Sequence, residues 1–126
     1  MKTIVNSNQA PAPVGPYSQA VRVGDMMFCS GQISIDPKTN QVFTGPVDQQ
    51  TKMVMSNIQA VLSAADMTFA NVIKTTIFLT NMNDFAAVNE VYGSYFPNQP
   101  PARSTIAVAG LPKGVNVEIE VIAHKG

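Results

Sequence analysis

The residues best suited to act on a small polar molecule are few, and they fall in four short segments. Val117-Glu118-Ile119-Glu120-Val121 places two carboxylates at i and i+2, on one face of a strand. Such a pair is either a solvated sheet face or an acid-base site. Pro100-Pro101-Ala102-Arg103-Ser104-Thr105 holds Arg103, one of only two arginines in the chain with Arg22. A guanidinium fork fixed by a preceding Pro-Pro kink suits bidentate capture of a carboxylate, and a surface salt bridge is the plainer alternative. Val14-Gly15-Pro16-Tyr17-Ser18-Gln19 reads either as a rigid turn with a packed ring or as a loop that presents an aromatic. Cys29-Ser30-Gly31-Gln32 puts a glycine inside a strand, which implies a bulge or a group that must approach the backbone closely.

Other chemistries lack their residues. With one histidine, His124, and one cysteine, Cys29, the chain has two of the four Cys/His ligands that a structural zinc site normally uses. No metal site and no cofactor is expected, and neither a GxxxxGK[ST] loop nor a GxGxxG fingerprint occurs. Cys29 lies in the apolar run Met26-Met27-Phe28-Cys29, so it reads as a buried inert thiol rather than the nucleophile of a Cys-His pair. Eight basic and eight acidic side chains give a formal net charge of zero, with no sign of a broad footprint for nucleic acid or anionic lipid. A lone thiol, a start (Met1-Lys2-Thr3-Ile4-Val5-Asn6) without an apolar leader core, and no run long enough to span a bilayer together predict a soluble cytoplasmic protein.

The elements that must position these residues fit one domain over residues 1–126, with 45% apolar composition. Residues 6–16, rich in Asn and Pro, read as an irregular arm. Residues 21–23 and 26–35 read as strands separated by a Gly24-Asp25 turn, followed by a loop over residues 37–45. From Val47 the period changes, and Val54, Ile58, Val61, Leu62 and Ala65 form one stripe of a helix ending near Asp66. Residues 72–79, β-branched and Thr-rich, predict a strand. Asp84 is the expected cap of a second helix whose face carries Phe85, Val88, Tyr92 and Phe96, stopped by Pro97, Pro100 and Pro101. A short strand over residues 103–108, a turn at residues 110–114 and a last strand over residues 115–124 complete the order ββαβαββ. In the last strand Val117, Ile119 and Val121 take one face, with Asn116, Glu118 and Glu120 on the other. Two helices of this size cover one face of a sheet, and a half-polar opposite face on so small a domain often packs against another subunit.

Taken together, Gly15-Pro16-Tyr17-Ser18-Gln19-Ala20, Ser30-Gly31-Gln32, Lys74-Thr75-Thr76, Asn83-Asp84-Phe85, Asn89, Pro101-Ala102-Arg103-Ser104 and Leu111-Pro112-Lys113 through Glu118-Ile119-Glu120 resemble the RidA (YjgF) family over nearly the whole chain. The resemblance implies a chorismate-mutase-like α+β fold, a mixed β-sheet with two helices on one face, assembled as a homotrimer with clefts between subunits. It implies deamination of short 2-imino acids and enamines, with small 2-imino and 2-keto acids as ligands. Arg103 would grip the substrate carboxylate, and Glu118 would hold the water near the imine carbon. Tyr17 would close the cleft, Ser30 and Gly31 would line it, and Asn89 would lie nearby.

One position departs from the pattern. The family often has cysteine where this chain has Thr105, which excludes a nucleophilic thiol there and leaves the Thr105 backbone N–H as a carboxylate donor. The residue types fit the chemistry, because an imino acid sets a carboxylate beside an electrophilic carbon that is reactive without a cofactor. A non-catalytic carboxylate-binding regulatory trimer is the competing expectation, and a second anion at Glu118 argues against it. Ribonuclease activity, ascribed to some relatives, is disfavoured by the neutral charge and the lack of tryptophan.

Overall fold

The structure is a computed structural model describing all residues, Met1–Gly126. The chain forms six strands: β1 (Lys2–Val5), β2 (Ala20–Val23), β3 (Met26–Gln32), β4 (Val72–Leu79), β5 (Ala102–Ala107) and β6 (Val117–His124), with alternation clearest in β6. Two helices, α1 (Val47–Ala64) and α2 (Phe85–Gly93), follow β3 and β4. The strands form one sheet in the order β1-β2-β3-β6-β4-β5. The β4–β5 pair is parallel and every other pair antiparallel, so the sheet is mixed, as expected. The last strand of the chain inserts between β3 and β4, which puts Glu118 in the middle of the sheet.

The core lies between the sheet and the helices. Val54, Ile58, Val61 and Leu62, all from the expected stripe, are at most 1% exposed. They meet Met27 and Cys29 of β3, Ile77 and Leu79 of β4, and Val117, Ile119 and Val121 of β6 in one cluster. Burying side chains of this size contributes about 1.5–3 kcal/mol each before entropy is counted. The opposite sheet face has no helix, and Ile4, Val23, Phe28 and Ile106 there remain 44–48% exposed.

Several boundaries differ from the sequence expectation. The order is βββαβαββ, because Lys2–Val5 pairs with Ala20–Val23. Only Val5 of that strand is buried, so it carries no alternation to read. The strand expected over residues 26–35 ends at Gln32. Ile35 N–H turns back to Ile33 O (2.9 Å), leaving a single bridge from Ile35 to Val42. Asp84 makes no capping hydrogen bond. α2 instead grows out of a 3-10 turn, Met82–Asp84, capped by Asn81, whose Oδ1 accepts from Asn83 N–H at 2.9 Å. α2 ends at Gly93, before the prolines, and Phe96 is buried just beyond it. The strands expected over residues 103–108 and 115–124 are Ala102–Ala107 and Val117–His124. A further 3-10 turn, Phe69–Asn71, is held by a capping box between Thr68 and Asn71.

Candidate active site

β6 directs Val117 and Ile119 into the core and therefore Glu118 out of the opposite face. Glu118 is only half-buried, and what gives it room is Gly31 on the neighbouring strand. A Cβ at Gly31 would overlap Glu118 Oε2. The β3–β6 register also shifts between Cys29 and Gln32, so the bulge and the close approach coincide at this glycine. Burial pushes the Glu118 carboxyl above the ordinary glutamate range, and the charge of Glu120 pushes it the same way. A carboxyl shifted towards neutrality is suited to holding and moving protons.

Glu118 opens into a cleft of about 550 Å³ that Tyr17, Ser30, Gly31, Val14 and Lys113 also line. Tyr17 stands at the end of the arm, where Gly15 takes φ 127° and its carbonyl accepts from Tyr17 N–H at 2.9 Å. The left-handed backbone there favours glycine, and the ring it presents is 55% exposed. Ser30 ties the arm to the sheet. Its hydroxyl donates to Ser18 O (2.6 Å) and its N–H to Gln19 O (2.9 Å). With that proton committed, Ser30 offers a ligand lone pairs only.

Arg103 belongs to a different environment. On edge strand β5 it pairs with Thr75, whose side chain is buried on the helix side, and Arg103 points the same way. Its guanidinium carbon lies 5.5 Å from the Phe85 ring centre and 5.2 Å from that of Tyr92. Its Nη1 donates to Asn89 Oδ1 at 2.6 Å. Tyr92 is fixed in turn by a 2.6 Å hydrogen bond between its hydroxyl and Thr75 Oγ1. Burial raises the Tyr92 hydroxyl pKa, opposed by the Thr75 hydrogen bond and the Arg103 charge. Arg103 thus leans on neutral partners, and the fork is left to meet a carboxylate. This cavity, about 440 Å³, is also lined by Pro100 and Pro101.

Four of the expected residues therefore share one cleft (Tyr17, Ser30, Gly31, Glu118) and two share another (Asn89, Arg103). Thr105 lines neither, and its Oγ1 is buried without a hydrogen-bond partner. Cys29 is buried, with its thiol pushed up to about 12 by desolvation, which fits an inert core cysteine. Sequence reasoning missed Phe85 and Tyr92 as a platform for Arg103, reading them as core. The spacing of Phe85, Asn89 and Tyr92 at i, i+4 and i+7 was the available signal, since it sets a polar amide within an apolar stripe. Lys113, held in a turn at φ 57°, entered the sequence reading only within the Leu111-Pro112-Lys113 segment, with no role at the cleft that it lines.

The family described as endoribonuclease L-PSP matches residues 7–125, carrying both clefts and nearly the whole sheet. This chain belongs to the RidA (YjgF) family. It is 44% identical to the mouse 2-iminobutanoate/2-iminopropanoate deaminase over 126 residues, covering 100% of this chain and 93% of that protein. A Yersinia pestis protein of the conserved Rid family is 45% identical, with a TM-score of 0.96 over 98% of this chain and 99% of that one. The Escherichia coli protein TdcF, solved with serine bound, is 40% identical, with a TM-score of 0.94 over 98% of this chain and 99% of that one. The RidA fold is therefore shared along the whole domain. No helix of the protein is long and apolar enough to cross a membrane.

Proposed function

We propose that this RidA-family protein hydrolyses short 2-imino acids, such as 2-iminopropanoate and 2-iminobutanoate, to 2-keto acids and ammonia. The observation that carries the reading is Glu118, a half-buried carboxyl with a raised pKa facing a cleft with ample room for a small imino acid. Water adds to the imine carbon, the nitrogen gains protons and leaves as ammonia, and the carbon–oxygen bond becomes the keto carbonyl. Glu118 orients the water and carries the proton between oxygen and nitrogen. Arg103, with the Thr105 backbone N–H, holds the carboxylate and so fixes the carbon beside the water. Tyr17, Ser30 and Gly31 enclose the ligand, and Asn89 aims the guanidinium. The mouse relative's name and the serine held by the Escherichia coli relative support a ligand of this class. The family's ribonuclease description fits less well, because Glu118 and Glu120 would repel a phosphodiester. A lone buried thiol suits a cytoplasmic setting.

The reading includes a homotrimer. Arg103 opens on the helix side of the sheet and Glu118 on the other, so one subunit does not bring them to a common ligand. A site holding both needs Arg103 from one subunit and Glu118 from the next. The exposed apolar residues of the helix-free face, Phe28 and Ile106 among them, are suited to such contacts.

A coupled assay tests the chemistry: an amino-acid oxidase generates the imine, and keto-acid release is followed with and without the protein. Accelerated release supports the hydrolase. Keto-acid binding without acceleration would move the reading to a regulatory carboxylate binder. Mixing tests the shared site. Arg103→Ala and Glu118→Gln subunits, each inactive alone, should regain about one intact site in four when reassembled together at equal amounts. No recovery in a verified mixed oligomer would remove the shared-cleft geometry.

A further inference from the structure

The arm that leads to Tyr17 is gripped along residues 7–11 by the side chain of Gln19. Gln19, the residue before β2, is 3% exposed, and its carboxamide faces the backbone of the arm. Its Oε1 accepts from Ser7 N–H at 2.6 Å. Its Nε2 faces three carbonyls, Ser7 O at 3.1 Å, Ala10 O at 3.4 Å and Pro11 O at 2.9 Å. Two N–H groups are shared among three acceptors, so every hydrogen bond this carboxamide makes goes to one stretch of chain. The stretch leads directly to Pro11, Ala12 and Val14, which line the same cleft as Glu118. The arm lies outside the regular sheet ladder, so this amide supplies hydrogen bonds that the backbone there does not make for itself.

We infer that Gln19 is a positioning residue: its carboxamide latches residues 7–11 so that Pro11, Ala12 and Val14 form the apolar wall of the Glu118 cleft. The role in turnover rests on the hydrolase reading above, whereas the latch itself does not. Gln19 also borders the cleft, but its carboxamide is bonded to the arm and acts by holding the cleft closed, so its loss should weaken substrate capture more than the chemical step. Ala10, 4% exposed, is the rival anchor, because its burial in the core would hold the arm without any amide.

Gln19→Met separates the two, since it keeps volume and removes the hydrogen bonds. In the folded variant, amide hydrogen exchange over residues 7–17 should speed up about tenfold or more, with the sheet unaffected. In the coupled assay KM should rise about tenfold while kcat falls far less. Unchanged exchange in the arm would overturn the latch and leave Ala10 as the anchor. Faster exchange with unchanged KM would overturn the positioning role. The wild type gives a check that does not depend on the variant folding: Ser7 N–H should exchange at least about tenfold slower than an unstructured amide, and exchange at the unstructured rate would overturn the proposal. Exchange is read without substrate, so an inactive wild type would defeat the hydrolase reading while the latch stands or falls on exchange alone.

Discussion

Arg103 and Glu118 are placed by different means. Around Arg103 the structure supplies partners: two rings, the Asn89 amide, and behind them the Tyr92–Thr75 hydrogen bond. Around Glu118 it supplies space, a glycine where any Cβ would collide, and a cleft of mixed polar and apolar lining that half-buries the carboxyl. A permanently charged guanidinium needs its direction fixed, because its protonation does not change in use. The acid-base role proposed for Glu118 calls for an adjusted proton affinity, and desolvation supplies that. Direction comes from contacts along one helix, whereas desolvation needs the arm, β3 and β6 together.

The largest effect should come from breaking the Arg103 side. Arg103→Ala should lower kcat/KM in the coupled assay by roughly 10³-fold, the scale of a lost charge-assisted carboxylate grip. Because Arg103 is exposed, the variant should fold normally. Arg103→Lys should recover little, since a point charge does not replace a planar fork. Near-normal turnover in Arg103→Ala would refute the carboxylate assignment.

Breaking the Glu118 side should cost roughly 10²-fold in turnover for Glu118→Gln, the scale of a positioned acid-base group, with pyruvate binding retained in calorimetry. Glu120→Gln, on the same strand face, should do much less. The pH dependence sharpens the contrast. The folded-state carboxyl of Glu118 holds its proton more tightly than the unfolded one. Its ionisation therefore removes stability as pH rises from the ordinary glutamate range through the raised folded value. Glu118→Gln should melt with wild type near pH 4 and above it at neutral pH. A variant that melts below wild type at neutral pH would contradict a strained carboxyl. Wild-type activity should fall on the acid side at a pH above the ordinary carboxylate range.

The smallest effect concerns Thr105, whose Oγ1 is the one buried side-chain polar atom of the protein without a hydrogen-bond partner. Thr105→Val removes that atom and keeps the shape, so it should stabilise by about 1 kcal/mol, or about 4 °C in Tm. A loss of stability in the assembled protein would mean instead that a neighbouring subunit completes the hydroxyl.

The sequence by itself carried the periodic elements and the chemical inventory. The stripe from Val54 to Ala65 predicted α1, and alternation through Val117, Ile119 and Val121 put Glu118 on the far face, as observed. These follow from local geometry, in which neighbours in sequence decide which way a side chain turns. Gly31 was legible as a special position, though not which of two causes applied; the structure has both, a bulge and an incoming carboxylate. Strand β1 was not legible, because an edge strand with one buried residue leaves no pattern. The cap expected at Asp84 fell to Asn81, since a 3-10 turn ahead of the helix moved its start. Only the tertiary structure decided that Phe85 and Tyr92 carry Arg103, that Gln19 grips the arm, and that Arg103 and Glu118 open from opposite faces of one sheet. Each of those depends on contacts across 8 to 18 residues or between separate strands, and such distances are closed by packing, not by the pattern of any one segment.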